Sequence, residues 1–123
     1  MANKRRIHKM AERVRSAVAM QVLRLSDPRF HLVTITAAHV TSDLRLAKIY
    51  WTVTGGENRA EEVEEAFESA KGLIRRELAP ELGVKFVPDL KFFYDDTLDI
   101  VEKTRDLLSQ VPVREDDAQS SNE

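Results

Sequence analysis

Three histidines, one pair of adjacent glycines and a run of carboxylates are the residues of this chain whose types could do chemistry. His8, His31 and His39 share no spacing that would bring two imidazoles to one metal ion. Gly55-Gly56-Glu57 is not followed by Gly-Lys-Ser/Thr, so it reads as a turn and not as a phosphate-cradling loop. Asp95, Asp96, Asp99 and Glu102 gather at the start of a predicted helix. There the unpaired amides and the helix dipole favour carboxylates, so capping accounts for them better than a Mg²⁺ site. Ser16, Ser26, Ser42, Ser69 and Ser109 stand in no nucleophile-elbow context. The chain has no cysteine, which excludes disulfides, thiolate zinc and thiol nucleophiles and fits a reducing cytoplasm. No catalytic constellation, metal site or cofactor is expected, and the reading is that of a binding protein.

The cations carry more information. Residues 1–29 hold 8 basic side chains against Glu12 and Asp27 only, a net of +6. Residues 30–113 carry a net of −5 and residues 114–123 a net of −3, so the total of −2 averages a basic head with an acidic middle and tail. Such asymmetry points to a polyanionic partner, against the plainer possibility of a solvated helix face.

Those charges need elements to position them. Ile7, Met10, Ala11, Val14, Val18, Val22 and Leu25 recur at three- and four-residue steps and predict a helix over about 5–25. Arg5, Arg6, Lys9, Arg13 and Arg24 then fall on its opposite side. Ser26-Asp27-Pro28 ends it. Residues 32–37 and 46–53 alternate as strands around a turn at Thr41-Ser42-Asp43, with Ala47, Ile49, Trp51 and Val53 on one face and Trp51 expected in the core.

Asn58 with Glu61 resembles a capping box opening a second helix, apolar at Val63, Ala66, Phe67 and Ala70 and acidic at Glu61, Glu62, Glu64, Glu65 and Glu68. Gly72 predicts a bend or a close helix contact within it, and Pro80 with Gly83 its end. A bend would expose amides able to donate to phosphate beside Lys71, Arg75 and Arg76; the alternative is close packing at Gly72 with the arginines paired to Glu68 or Glu77. Residues 90–94 form a third strand and 97–110 a last helix. The sum is an α+β domain, helices on one face of a three-stranded sheet. The length allows roughly one domain, no apolar run is long enough to span a membrane, and the basic start lacks the apolar stretch of a secretory signal.

Arg5-Arg6-Ile7, Ser26-Asp27-Pro28-Arg29, residues 33–36, Val40 to Tyr50, Ala70-Lys71-Gly72, residues 74–78 and residues 87–95 follow one another in a distinctive order and spacing. In these motifs, over about residues 4–112, the chain resembles the ribosome-binding factor A family. Ser42 stands where the family commonly has proline. The resemblance implies a type II K-homology-like fold, helix-strand-strand-helix-kink-helix-strand, with Ala70-Lys71-Gly72 as the interhelical kink. It implies residues 1–112 as the ribosome-binding domain; residues 113–123, acidic and poor in apolar side chains, are expected from composition to be a disordered tail. The Gly-x-x-Gly loop of usual K-homology domains is absent.

The implied function is that of a cytoplasmic, non-enzymatic factor, monomeric off the ribosome. It would bind immature small ribosomal subunits and support late maturation, including rRNA 5′-end processing in the cold, with a maturation GTPase as a partner in release. The expected phosphate contacts are Arg5, Arg6, Lys9, Arg13, Arg29, Lys71, Arg75 and Arg76, with Arg45, Lys48 and Lys91 as further candidates on strands and turn. A rival reading is a protein–protein adaptor docking through the acidic helix 61–68. A metal-dependent hydrolase built on Asp95, Asp96 and Asp99 is the remote third.

Overall fold

The computed structural model describes residues 3–110; the expected tail and the domain boundary at 112 lie outside the described residues. Helix α1 runs Lys4–Arg24, strand β1 Val33–Val40, β2 Leu46–Val53, helix α2 Glu57–Leu82, β3 Asp89–Tyr94 and helix α3 Thr97–Gln110. A single 3₁₀ turn, Pro28–Phe30, separates α1 from β1. The α1 start is set by Asn3, whose side chain accepts from the Arg6 N–H at 2.8 Å.

The sheet order is β1-β2-β3, with β1 antiparallel and β3 parallel to β2. Ala47, Ile49, Trp51 and Val53 all point into the core, as their alternation predicts. Helices α1 and α2 cover this face through Val14, Val18, Val63, Ala66, Phe67, Ile74 and Leu78, each 0–1% exposed. Phe67 is the centre of an aromatic cluster, 4.9 Å from Phe30, 5.4 Å from Trp51 and 4.4 Å from Phe92 between ring centroids. The α1 stripe also includes a polar member: buried Gln21 donates to the Ile74 carbonyl and ties α1 to α2.

Strand β1 is longer than its alternation suggests, because the pairing shifts between Ile35 and Ala37. Thr36 is the extra residue of a β-bulge, so Val33 and Ile35 before it and Ala38 and Val40 after it all face the core. The turn to β2 is held by Asp43, which accepts from the Thr41 hydroxyl and the Arg45 N–H; these donors hold its carboxyl below the usual range.

Three expectations for the second helix are corrected. Helix α2 has no side-chain cap; it opens on Gly56, at φ 60° and ψ −143°, a region that disfavours any Cβ. A Cβ there would also lie 2.7 Å from Asp99 Oδ1. Nor is α2 broken at Ala70-Lys71-Gly72: one helix of 26 residues runs through it. Phe67, Ile74 and Leu78 continue a single buried stripe across the glycine, and their burial outweighs the ~1 kcal/mol that glycine costs within a helix. Gly72 makes no close contact either, since a Cβ on it would meet nothing within 4 Å. Finally, α2 continues through Pro80 to Leu82 and is stopped by Gly83 in the left-handed conformation, whose N–H bonds the Ala79 carbonyl.

Helix α3 adds no buried residue. Polar contacts hold it: the Tyr94 hydroxyl donates to Asp99, Lys103 pairs with Glu57 at 3.3 Å, and Asp95 accepts from the Thr97 N–H at the helix start. No helix among the described residues is long and apolar enough to cross a membrane.

Candidate nucleic-acid interface

Arg5, Arg6 and Lys9 are exposed on the side of α1 that points away from the sheet, and none makes an ion pair among the described residues. They are a free cationic strip because the apolar stripe of the same helix is turned inward. Arg13, next along this side, is committed elsewhere. Its Nη2 donates to the carbonyls of Leu82 at 2.8 Å and Glu81 at 3.3 Å, closing the C-terminal end of α2. A cation there also opposes the negative end of the helix dipole.

The second cluster lies past the middle of α2. Arg75 and Arg76 project where the helix faces the segment 84–88 leading into β3, and Gly72, Arg75, Arg76, Lys85, Phe86 and Val87 line an open groove between them; Lys71 precedes them on the same helix and is not part of that lining. Arg75 holds the groove's wall: its Nη2 donates to the Val87 carbonyl at 3.0 Å and its Nε to that of Pro88 at 3.3 Å. Neither Arg75 nor Arg76 pairs with Glu68 or Glu77. Phe86 is 80% exposed, with Lys85 Nζ 5.6 Å above its ring. A cation beside an exposed ring beside further cations is a surface suited to a phosphate backbone and an unstacked base. Lys85 and Phe86 were not among the expected residues. The signal, a lysine next to an aromatic between Gly83 and Pro88, is too short to distinguish from an ordinary loop.

The remaining candidates are set apart. Arg29 is engaged by Asp27 through its Nε and Nη2, the latter at 2.6 Å, and Glu62 and Glu65 lie near enough to raise its pKa further. The same pair holds the Asp27 carboxyl below the usual range. Arg29 therefore sits among carboxylates and apart from the α1 strip. Arg45 is exposed in the β1–β2 turn, and Lys48 and Lys91 are exposed on the uncovered face of the sheet, opposite the helices. The structure thus assembles two cationic clusters on the helical layer and a third across the sheet. The acidic side of α2, from Glu61 to Glu68, is exposed, with Glu62 paired to Arg59 at 2.9 Å. Among the described residues no group of three His, Asp or Glu side chains could hold a metal ion.

A family model described as ribosome-binding factor A matches residues 6–108. The chain is 36% identical to a ribosome-binding factor A of Geotalea uraniireducens over 120 residues, 95% of this chain and 98% of that one. It is 40% identical to one of Salinispora tropica over 111 residues, 89% of this chain and 71% of the other. Among solved structures it is similar to the crystal structure of ribosome-binding factor A from Thermus thermophilus. That match has a TM-score of 0.65 and 23% identity, and covers 72% of this chain and 94% of that one. A homology model of the Thermus thermophilus factor, fitted into a cryo-EM map of its 30S complex, matches with a TM-score of 0.63 and 23% identity over 73% of this chain and 94% of that one. At these identities the structural likeness speaks for the fold, an α+β K-homology-like domain.

Proposed function

This chain belongs to the ribosome-binding factor A family, and from that premise we propose that it is a non-enzymatic assembly factor of the small ribosomal subunit. It binds immature subunits through rRNA phosphates and supports late maturation, including rRNA 5′-end processing and growth in the cold. It works in the cytoplasm, as a monomer off the ribosome, without a cofactor, and a maturation GTPase promotes its release. Residues 1–112 form the binding domain and 113–123 an acidic appendage. Relatives carry ribosome binding in their names, and one related structure was fitted into a 30S complex.

The observation that carries the reading is the strip of Arg5, Arg6 and Lys9, exposed and without ion pairs among the described residues. Such a strip offers sequence-independent, salt-sensitive attraction to phosphate. Arg76 and Lys85, in the groove beside Gly72, form a separate cluster that adds to this attraction, with Lys71 on the same helix.

Co-sedimentation with small subunits tests it. Combined Arg5→Glu, Arg6→Glu and Lys9→Glu should weaken binding roughly tenfold or more at 0.1 M salt and leave the thermal midpoint in place. Arg13 is kept out of this set because it holds the end of α2. Unchanged co-sedimentation would reject the strip as the contact. The rival adaptor reading, supported by the exposed glutamates of α2, predicts that Glu61→Lys with Glu64→Lys abolishes binding and that the arginine variants do not.

A further inference from the structure

The helices cover one face of the sheet and leave the other open. On that open face β2 contributes Lys48, Tyr50 and Thr52, β3 contributes Lys91 and Phe93, and β1, past its bulge, contributes Ala37 and His39. The register lines these up in rows. His39, Lys48 and Lys91 form one row across all three strands; Ala37, Tyr50 and Phe93 form the next. The rings of Tyr50 and Phe93 are stacked, 5.5 Å between centroids and 28° between planes, and His39 meets Tyr50 edge-on at 5.5 Å. Phe93 is 40% exposed and Tyr50 half-buried, so the stacked pair is partly open to solvent.

The lysine row is the informative feature. Lys48 and Lys91 are direct neighbours on adjacent strands, about 4.8 Å apart at the backbone, with a histidine on the other side of Lys48. Like charges placed directly opposite each other weaken a sheet. Among the described residues no carboxylate pairs with either lysine. The acidic groups at the margins are engaged with their own surroundings: Asp89 with the Leu90 N–H, Asp95 with Thr36 and Thr97, Asp43 with Thr41 and Arg45. A row of unneutralised cations beside a stacked aromatic pair matches a chain of phosphates carrying unpaired bases.

We propose that the open sheet face is a stacking platform for single-stranded RNA. Bases lie on Phe93 and Tyr50, and the backbone follows Lys48 and Lys91. Base stacking on aromatic side chains is sequence-tolerant, and the flanking lysines give a salt-dependent backbone contact. The proposal rests on the reading that the partner is RNA, and it adds a surface that the helical strip does not provide. Because α1 and the open face lie on opposite layers of the domain, one RNA segment cannot lie flat on both. The platform therefore takes a second, unpaired segment.

The test is fluorescence anisotropy of the full chain with a fluorescein-labelled single-stranded oligoadenylate and with an RNA hairpin of equal length. Tyr50→Leu and Phe93→Leu keep the sites apolar and remove the π-faces. Each should weaken single-strand binding about tenfold and leave hairpin binding nearly unchanged. Lys48→Gln with Lys91→Gln should lower the slope of log affinity against log salt by about 1.4. A pair that only stabilises the sheet would lower the thermal midpoint and leave RNA affinity in place, which overturns the proposal. So does a wild-type chain that binds no single strand, and so does loss of subunit co-sedimentation in the leucine variants with oligonucleotide binding intact, which would mean that the face docks protein. Co-sedimentation of the wild type with small subunits separates the two readings: if it persists while the oligonucleotide arm fails, the ribosome reading stands without the platform.

Discussion

Tyr94 and Asp99 meet where β3 passes into α3. Burial is the main cause raising the Tyr94 phenol above its ordinary pKa, and the Asp99 carboxylate that accepts its hydrogen bond raises it further. The folded state therefore keeps this proton at a pH where the unfolded chain has lost it. The stability it contributes is complete below the unfolded pKa of about 10 and declines as pH rises past that value. Tyr94→Phe should remove this decline, so the thermal midpoint of the variant falls less than that of the wild type between about pH 9 and 11. Equal falls would show that the hydroxyl is not coupled to folding. Asp99 does a second thing: it leaves no room for a side chain at Gly56, so the start of α2 and the start of α3 are fitted to each other through one carboxylate. The sequence makes Asp95 and Asp99 legible as helix-start carboxylates. It cannot reveal the tyrosine contact, because a partner on the preceding strand leaves no periodic trace. Arg13 and Arg75 read as free cations in the sequence for a related reason. Their partners are backbone carbonyls 69 and 12 residues away, and carbonyls have no letter in a sequence.

Among the elements, α1 is readable nearly to the residue, since its stripe is long and Ser26-Asp27-Pro28 closes it; the Asn3 cap is found only in the structure. Helix α2 is readable as a helix but not as a continuous one. Glycine propensity is a local cost, and the burial of Ile74 and Leu78 beyond it decides the outcome. This continuity makes a direct prediction. Gly72 has open space around its Cα and no positive φ, so Gly72→Ala should stabilise the fold by about 0.5–1 kcal/mol in urea denaturation. A loss of stability would instead mean that the helix needs glycine's freedom there. Measured beside it, subunit binding of the same variant asks whether Ala70-Lys71-Gly72 serves the partner more than the fold. In β1 the alternation reads cleanly only to the bulge, after which the core-facing residues change parity and simple counting fails.

For the whole molecule, cations stand on both layers, on α1 and α2 in one and at Lys48 and Lys91 in the other, while the acidic excess lies on α2 from Glu61 to Glu68 and, in the sequence, after residue 113. Arg114 stands against Glu115, Asp116, Asp117 and Glu123 in residues 113–123, a net of −3, so the remaining 112 residues carry +1 against the chain's −2. A chain ending at Pro112 should accordingly bind single-stranded oligonucleotide a few-fold more tightly at about 20 mM salt. The advantage should vanish near about 0.5 M, where screening is complete within a few ångströms. An advantage that persists at high salt would assign the last residues a contact of their own and not a field effect.

The bulge at Thr36 also bears on how the length of this chain can vary. Ile35 opposes Trp51 and Ala37 opposes Tyr50, so without Thr36 the ladder would be unbroken and every other residue of β1 would keep its side of the sheet. What the extra residue adds is a hydroxyl donating to Asp95 at 2.9 Å, and Asp95 in turn accepts from the amide that opens α3. Loss of this one codon would leave the core untouched. It would cut the only hydrogen bond, among the described residues, from a β1 side chain to the segment that starts the last helix. Elsewhere in these strands a one-residue deletion turns the hydrophobic set toward water. Thr36 is thus the place in the sheet where a natural length difference between relatives can be accommodated, with its effect confined to how firmly α3 is held.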